Sequence, residues 1–209
     1  MSIKVLLVNG SQHKSGCTHT ALQEIATELQ KQGIESEEYW VGNKPIKGCI
    51  GCGRCRDSHL CWYDKDTVND FLRKAADADG YVFGTPVHFA GASGFIKPFM
   101  DRVFCSKTSL FYNKPAAGIV SCRRGGALGG FDDINRYFTI SNMPVVSSQY
   151  WNEIHGNTPD EVRQDAEGMQ IMRQLARNMA WLLECIEAGK KAGIALPEHE
   201  PLVKTNFIR

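Results

Sequence analysis

The sequence predicts an α/β domain built on a doubly wound parallel sheet. Two observations carry that prediction. Five strand-like apolar runs alternate with stretches of helical periodicity, the order that produces parallel strands with helices on both faces. The first run, "IKVLLV" (3–8), is continuously apolar and rich in β-branched residues, as a strand covered on both sides must be. The chain of 209 residues is long enough for one domain with a substantial core, and no repeat, low-complexity run or linker divides it.

The first strand stops at the loop "NGSQHKSGCT". A helix is then predicted over about 18–31, because Leu22, Ile25, Ala26 and Leu29 recur at i, i+3, i+4 and i+7. "SEEYWVG" (36–42) reads as a second, more exposed strand. A cysteine-rich insertion at 44–64 follows, and then a helix over 66–76 with Val68, Phe71, Leu72 and Ala75 on one face. "GYVFGTP" (80–86) is a third strand that ends at Thr-Pro. A short helix near 94–103, a strand "AAGIVS" (116–121), a helix near 131–138 and a strand "MPVVSS" (143–148) complete the alternation. The last long helix is predicted to start at Thr158-Pro159, where threonine can cap and proline suits the first turn. Its stripe is Met169, Met172, Ala176, Met179, Leu183 and Ile186, and it should end before Gly189. The domain therefore spans 1–189, with an irregular tail over 190–209 containing Pro197 and Pro201.

Apolar residues make up 43% of the chain and charged residues 22%, a soluble globular composition. Twenty-four basic against twenty-three acidic side chains leave a formal charge of +1, so nothing in the overall balance favours nucleic acid or an anionic membrane as partner. No stretch reaches the roughly 20 apolar residues needed to cross a bilayer. The opening "MSIKVLLVNG" lacks the length of a signal sequence. A cytoplasmic location is the expectation, and there thiols stay reduced, which disfavours a disulfide framework among the clustered cysteines.

Ligands of open α/β sheets sit beyond the carboxyl ends of the strands. Three loops leave those ends. The first, with Ser11, His13, Ser15, Gly16, Cys17 and Thr18, is a small-residue turn at a helix N-terminus, whose N–H groups and hydroxyls favour a phosphate. It is neither a Walker A loop nor a G-x-G-x-x-G fingerprint, so a single phosphate, as in FMN, suits it better than a dinucleotide. A tight turn with no ligand is the plain alternative. The second loop lies in "GTPVHFAGASGFIKPFMDR" (84–102). Thr85, Pro86, Val87, His88, Phe89 and Gly91 offer exposed backbone for the polar edge of a planar ring, and Phe89 or His88 for its face. The third, "SCRRGGALGG" (121–130), sets Cys122, Arg123, Arg124, Gly125 and Gly126 where backbone and positive charge can approach an anionic ligand; a solvated turn is its alternative.

Together "NGSQHKSGCTHTAL", "GTPVHFAGASGFIKPFMDR" and "SCRRGG" resemble the three flavin-binding loops of NAD(P)H-dependent FMN reductases of the flavodoxin-like fold. The resemblance implies a three-layer sandwich with a five-stranded parallel sheet in the order 2-1-3-4-5. It implies that the loop at 11–18 holds the FMN phosphate, mainly through Ser11, His13, Gly16 and Thr18. Pro86 to Gly91 would border the isoalloxazine, and Cys122 to Gly126 would flank its other side. NAD(P)H as cosubstrate, a small-molecule electron acceptor and a homodimer or higher homo-oligomer are implied with it. No catalytic dyad or triad is evident, in keeping with chemistry supplied by a cofactor. Arg123 or Arg124 would then stabilise charge on the flavin or meet a pyridine-nucleotide phosphate.

Cys49, Cys52, Cys55 and Cys61 have the spacing C-x2-C-x2-C-x5-C. Thiolates are the natural ligands of iron–sulfur clusters, and Gly48, Gly51 and Gly53 supply turns that let one loop wrap several corners. Inside a flavodoxin-like chain this spacing resembles the iron–sulfur flavoprotein family. That resemblance implies one FMN and one [4Fe–4S] cluster per subunit, with a ferredoxin as partner. A cluster-free loop and a zinc site remain alternatives. Cys17, Cys105, Cys122 and Cys185 are scattered and read as packing or loop residues, with Cys122 also a candidate low-pKa thiol beside two arginines. Finally, "SSQYWNEIHGNTPDE" (147–161) places Tyr150, Trp151, Ile154 and His155 in an apolar loop that either caps the flavin of its own or a neighbouring subunit or, equally, folds onto its own core.

Overall fold

A computed structural model describes residues 2–201, 203–205 and 207. In chain order the elements are β1 (Lys4–Asn9), α1 (Cys17–Lys31), β2 (Glu35–Trp40), α2 (Cys55–Ser58), α3 (Val68–Ala75), β3 (Gly80–His88), β4 (Gly91–Ala92), α4 (Ile96–Lys107), β5 (Ala116–Cys122), α5 (Ala127–Ile140), β6 (Glu153–His155), α6 (Pro159–Gln164) and α7 (Ala166–Lys191). Five strands pair in parallel in the order β2-β1-β3-β5-β6, and β4 folds back antiparallel on the end of β3. Counting only the parallel strands, this is the predicted order 2-1-3-4-5. The chain leaves β1 towards β2 on one side and returns to β3 on the other, so the loops after β1 and β3 open at the switch point.

The period of two along β1 divides the core. Val5 and Leu7 pack with Leu22, Ile25 and Leu29 of α1 and Met172, Leu175 and Met179 of α7. Leu6 and Val8 face the opposite layer, where Phe71 of α3, Phe99 and Val103 of α4, and Ile134 and Phe138 of α5 meet Tyr81 and Phe83 of β3. Ion pairs fasten α1 to α7. Arg177 donates to Glu28 at 2.7 Å and Arg173 to Glu24 at 2.5 Å. The bond from Arg177 holds the Glu28 carboxyl below its ordinary pKa, in spite of the burial that opposes it.

Four predicted elements are corrected. The strand expected at 143–148 contributes only a single parallel bridge, Val145 to Ala116, and the fifth strand is Glu153–His155. The chain pairs with the start of β5, leaves the sheet over 147–151, and returns when the Asn152 carbonyl accepts from Val120 N–H at 2.9 Å. The helix expected near 131–138 begins at Ala127, inside the glycine-rich stretch, and the one expected near 94–103 runs on to Lys107. The single long helix is two. Thr158 caps α6 as predicted, accepting from Glu161 N–H at 3.2 Å, but the chain breaks at Asp165, whose carboxylate caps α7 by accepting from Gly168 N–H at 3.0 Å. Beyond Lys191 the described residues form no helix or strand, and no described helix is long and apolar enough to cross a membrane.

Candidate functional site

At the carboxyl end of the sheet, Asn9 closes β1 and organises the loop that follows. Its Oδ1 accepts from Ser11 N–H at 3.1 Å, while its Nδ2 donates to the Lys14 carbonyl at 3.1 Å and to Glu38 at 2.8 Å. Trp40 Nε1 donates to the Ser11 carbonyl at 2.8 Å, and Ser11 Oγ accepts from His13 N–H at 3.1 Å. The loop is thus braced from within and from β2. It delivers the chain to Gly16, which precedes α1 without a side-chain cap and leaves the first-turn N–H groups facing outward. A cavity of about 530 Å³ opens there, lined by Ser11, His13, Ser15, Gly16, Cys17 and Thr18 of this loop, with Pro86 and Ser121 from the next two. Buried Thr18 shares a hydrogen bond of 2.8 Å with Ser121. A polar lining at an uncapped helix N-terminus is a setting chemically suited to an anion.

Asn157, Thr158 and Pro159, leading from β6 into the first turn of α6, close the same cavity. They lie in the stretch 147–161 set near the flavin from sequence but were not singled out there, because Thr-Pro reads as a helix start. The aromatic part of that segment behaves otherwise than expected. Tyr150 and Trp151 pack against each other with tilted rings, centroids 4.9 Å apart, lie on the surface, and do not line the cavity.

The second loop is a hairpin. His88 pairs with Gly91, and the two residues between them, Phe89 (φ 51°) and Ala90 (φ 61°), both occupy the left-handed region. Such a two-residue turn ordinarily takes Asn-Gly, so Phe and Ala hold it at a cost of about 1–3 kcal/mol each. Phe89 is fully exposed at the tip, with His88 exposed beside it. Thr85 is buried and faces inward. Its hydroxyl donates to the Pro86 carbonyl at 3.0 Å and accepts from Ser93 N–H at 3.1 Å, which makes it a brace for the hairpin. The third loop packs directly against it. Gly126 has φ 87°, and a Cβ there would sit 2.8 Å from Ala90 Cα, so only glycine permits the approach. Val87 and Cys122 share the small apolar cluster beneath, whereas Arg123, Arg124 and Gly125 are exposed. Cys122 is corrected: burial first, then Glu153, pushes its thiol up, not down. Burial raises Cys17 as well.

The cysteine insertion forms a second, separate place. Cys49, Cys52, Cys55 and Cys61 line one cavity of about 210 Å³ with Trp62, Tyr63 and Arg102. A fifth thiol, Cys105 of α4, joins them, which corrects its reading as a packing residue. The Cys55 thiol donates to the Cys105 carbonyl at 3.5 Å. The Cys105 thiol is pushed up to about 11, by burial first and then by neighbouring Cys49. Cys61 is the fixed point of the loop. Asn69 of α3 accepts from its N–H and donates to its carbonyl, both at 2.8 Å. Arg102, the bulkiest fully buried side chain among the described residues, donates from Nε to Cys61 Sγ at 3.2 Å. Burial works against the guanidinium charge, but the bonds to Asp66 and Cys61 outweigh it and keep Arg102 protonated. Lys47 and Arg54 add positive charge over the Trp62 ring at 5.1 and 5.2 Å. Gly51 and Gly53 turn the loop with φ of 63° and 71°. Among the described residues no three His, Cys, Asp or Glu side chains converge closely enough to hold a single metal ion.

Comparison with known proteins matches this architecture. The model of the NADPH-dependent FMN reductase family matches residues 3–158. An iron–sulfur flavoprotein of Methanocaldococcus jannaschii is 28% identical over 193 residues, covering 88% of this chain and 100% of that one. An iron–sulfur flavoprotein of Archaeoglobus fulgidus is 26% identical over 194 residues, covering 86% and 97%. Among solved structures, RosB with bound 8-demethyl-8-formylriboflavin-5′-phosphate has a TM-score of 0.69 at 17% identity, over 100% of this chain and 96% of that one, a likeness of fold. With the family match running from β1 into the loop before α6, the chain belongs to the NADPH-dependent FMN reductase family and is a flavin-dependent oxidoreductase of flavodoxin-like fold.

Proposed function

We propose that the chain binds one FMN across the carboxyl end of its sheet and uses it to pass electrons from NAD(P)H to a small acceptor, with a [4Fe–4S] cluster held by Cys49, Cys52, Cys55 and Cys61. The observation that carries the flavin placement is the braced anion cavity at the head of α1, where three strand-end loops meet. Ser11, His13, Ser15, Gly16, Cys17 and Thr18 hold the phosphate through backbone N–H groups and hydroxyls. The ring lies between Pro86 to Gly91, with Val87, His88 and Phe89, and the facing Cys122 to Gly126. Bound FMN supplies hydride acceptance and one-electron release. The protein positions it, keeps polar backbone at its edge, and leaves one approach open at the exposed hairpin tip. Arg123 and Arg124 enter no ion pair among the described residues and are free to meet the phosphate of a pyridine nucleotide.

One observation supports the cluster: the four thiols line a single cavity of about 210 Å³, several times the ~30 Å³ share of one water, and thiolates are the natural ligands of such a group. The basic surroundings offset thiolate charge. A cluster supplies one-electron transfer when bound.

A second reading is electron transfer with a ferredoxin-like partner. It is favoured by the mouth of the cysteine cavity, where Lys47 and Arg56, with Arg54 over the Trp62 ring, offer positive charge to an acidic carrier and Ile50 is 62% exposed. Exposed Tyr150, Trp151 and Val145 beside the interrupted fifth strand support a homodimer. Protein purified without oxygen, assayed for FMN, iron and sulfide and then mixed with NADPH or a reduced ferredoxin, tests both readings. Rapid flavin bleaching by NADPH supports the first, and bleaching by ferredoxin alone the second. Absence of bound flavin after FMN titration overturns both.

A further inference from the structure

The buried guanidinium of Arg102 spends its donors unevenly. Nη1 donates to the Lys47 carbonyl at 3.2 Å and to Asp66, and Nη2 to the Tyr63 carbonyl at 2.7 Å. Those bonds tie both ends of the cysteine insertion to α4 and account for a structural role. The Nε–H bond to Cys61 Sγ, 3.2 Å, does not fit that account. A neutral thiol is a weak acceptor, and a buried charged donor is poorly served by it; a thiolate is a strong one. Asp66 already balances the guanidinium in charge, which leaves the Nε–H aimed at Cys61 Sγ as a donor to whatever group that sulfur ligates. Asn69 fixes the backbone of the same residue. Cys61 is therefore presented as a pre-oriented sulfur with a permanent donor aimed at it, a guanidinium being protonated at every accessible pH.

We propose that Arg102 is a positioning residue that tunes the metal group through Cys61, raising its reduction potential; this rests on the cluster reading given above. Hydrogen bonds to ligand sulfur and net local charge set the potential of iron–sulfur groups. A positive charge and an N–H···S bond both favour the state with the extra electron. Asp66 opposes them, since its carboxylate disfavours that state.

The test is potentiometry of the anaerobically loaded protein, with iron counted for each variant. Arg102→Gln should shift the midpoint to more negative potential, and Arg102→Lys should shift it part of the way, keeping the charge while losing the Nε bond. Asp66→Asn should shift it the opposite way, to more positive potential. A purely structural role predicts lost iron with no such ordered pair of shifts. Wild-type midpoints in loaded Arg102→Gln and Arg102→Lys would overturn the proposal. So would loss of iron from Arg102→Lys with FMN retained, which would leave Arg102 a structural tie alone. Failure of the wild type to take up iron and sulfide would instead overturn the cluster reading on which the proposal rests.

Discussion

The carboxyl end of the sheet and the cysteine cavity are built by opposite means. The first is made by the fold itself. Its walls are the ends of β1, β3 and β5, set side by side by the sheet register, and Asn9, Thr85 and Trp40 brace loops whose positions the strands already determine. The second stands off the sheet. An insertion of little regular structure is held in place by Asn69 of α3 and Arg102 of α4, and its first two cysteines, Cys49 and Cys52, are exposed. One helix touches both. Ser93, at the head of α4, bonds the hairpin through Thr85, while Arg102 lies about 9 Å further along from Ile96 at 1.5 Å per residue. A site made by strand ends tolerates loop variation because the scaffold aims it. A site made by an insertion depends on a few anchoring bonds.

The comparison breaks most sharply under cysteine replacement. Cys61→Ser should abolish iron binding while leaving FMN affinity within about twofold, whereas Cys105→Ser should keep wild-type iron, because four local thiolates complete the ligand set. Iron and flavin counts on the same samples decide it, and parallel loss of FMN would show that the two places are not independent.

Next in size is Gly10→Ala. Its Cβ would meet the Ile96 side chain and stand 2.8 Å from the Gly84 carbonyl oxygen, where the β1 loop crosses β3. Overpacking of this kind costs about 1–3 kcal/mol, so urea melts should show that loss together with weakened FMN binding. Thr18→Val removes the bond to Ser121 and leaves that buried hydroxyl without its partner. The cost is about 1–2 kcal/mol, and FMN titration should show Kd raised by roughly 5- to 30-fold, with iron unchanged.

The smallest effect concerns the α1–α7 layer, on the face of the sheet opposite α3 and α4. The Glu28 carboxyl is held down by Arg177, so its contribution to stability is complete above the unfolded carboxyl value of about 4.3 and is lost as pH falls through the folded value. With Arg177 half exposed, the pair is worth about 1 kcal/mol at most. Glu28→Gln should lower stability by that amount at pH 7 and by nothing once Glu28 is protonated; an equal deficit at both pH values would assign the loss to packing.

Much of this was legible in the sequence because the sheet follows local rules. β1 is a continuous apolar run, and the periodicity of α1 and the Thr158 cap point directly to their elements. The fifth strand was misread because "MPVVSS" has the better strand composition. Yet the three residues Glu153–His155 win the pairing after the chain loops out and Asn152 re-engages β5. The start of α5 was hidden by glycines that tertiary packing requires: a Cβ on Gly130 would stand 3.3 Å from Ala92 N. The four-cysteine spacing was visible, being local. Cys105 and Arg102 were not, because their relation to Cys61 exists only once α4 packs beside an insertion some forty residues earlier.

Chelation of iron from anaerobically loaded protein tests the two-site account most directly. The account predicts one FMN, four iron and four sulfide per chain before treatment, and afterwards full retention of FMN with iron and sulfide gone. Release of FMN in step with iron, or protein that takes up flavin but never iron and sulfide, would contradict it.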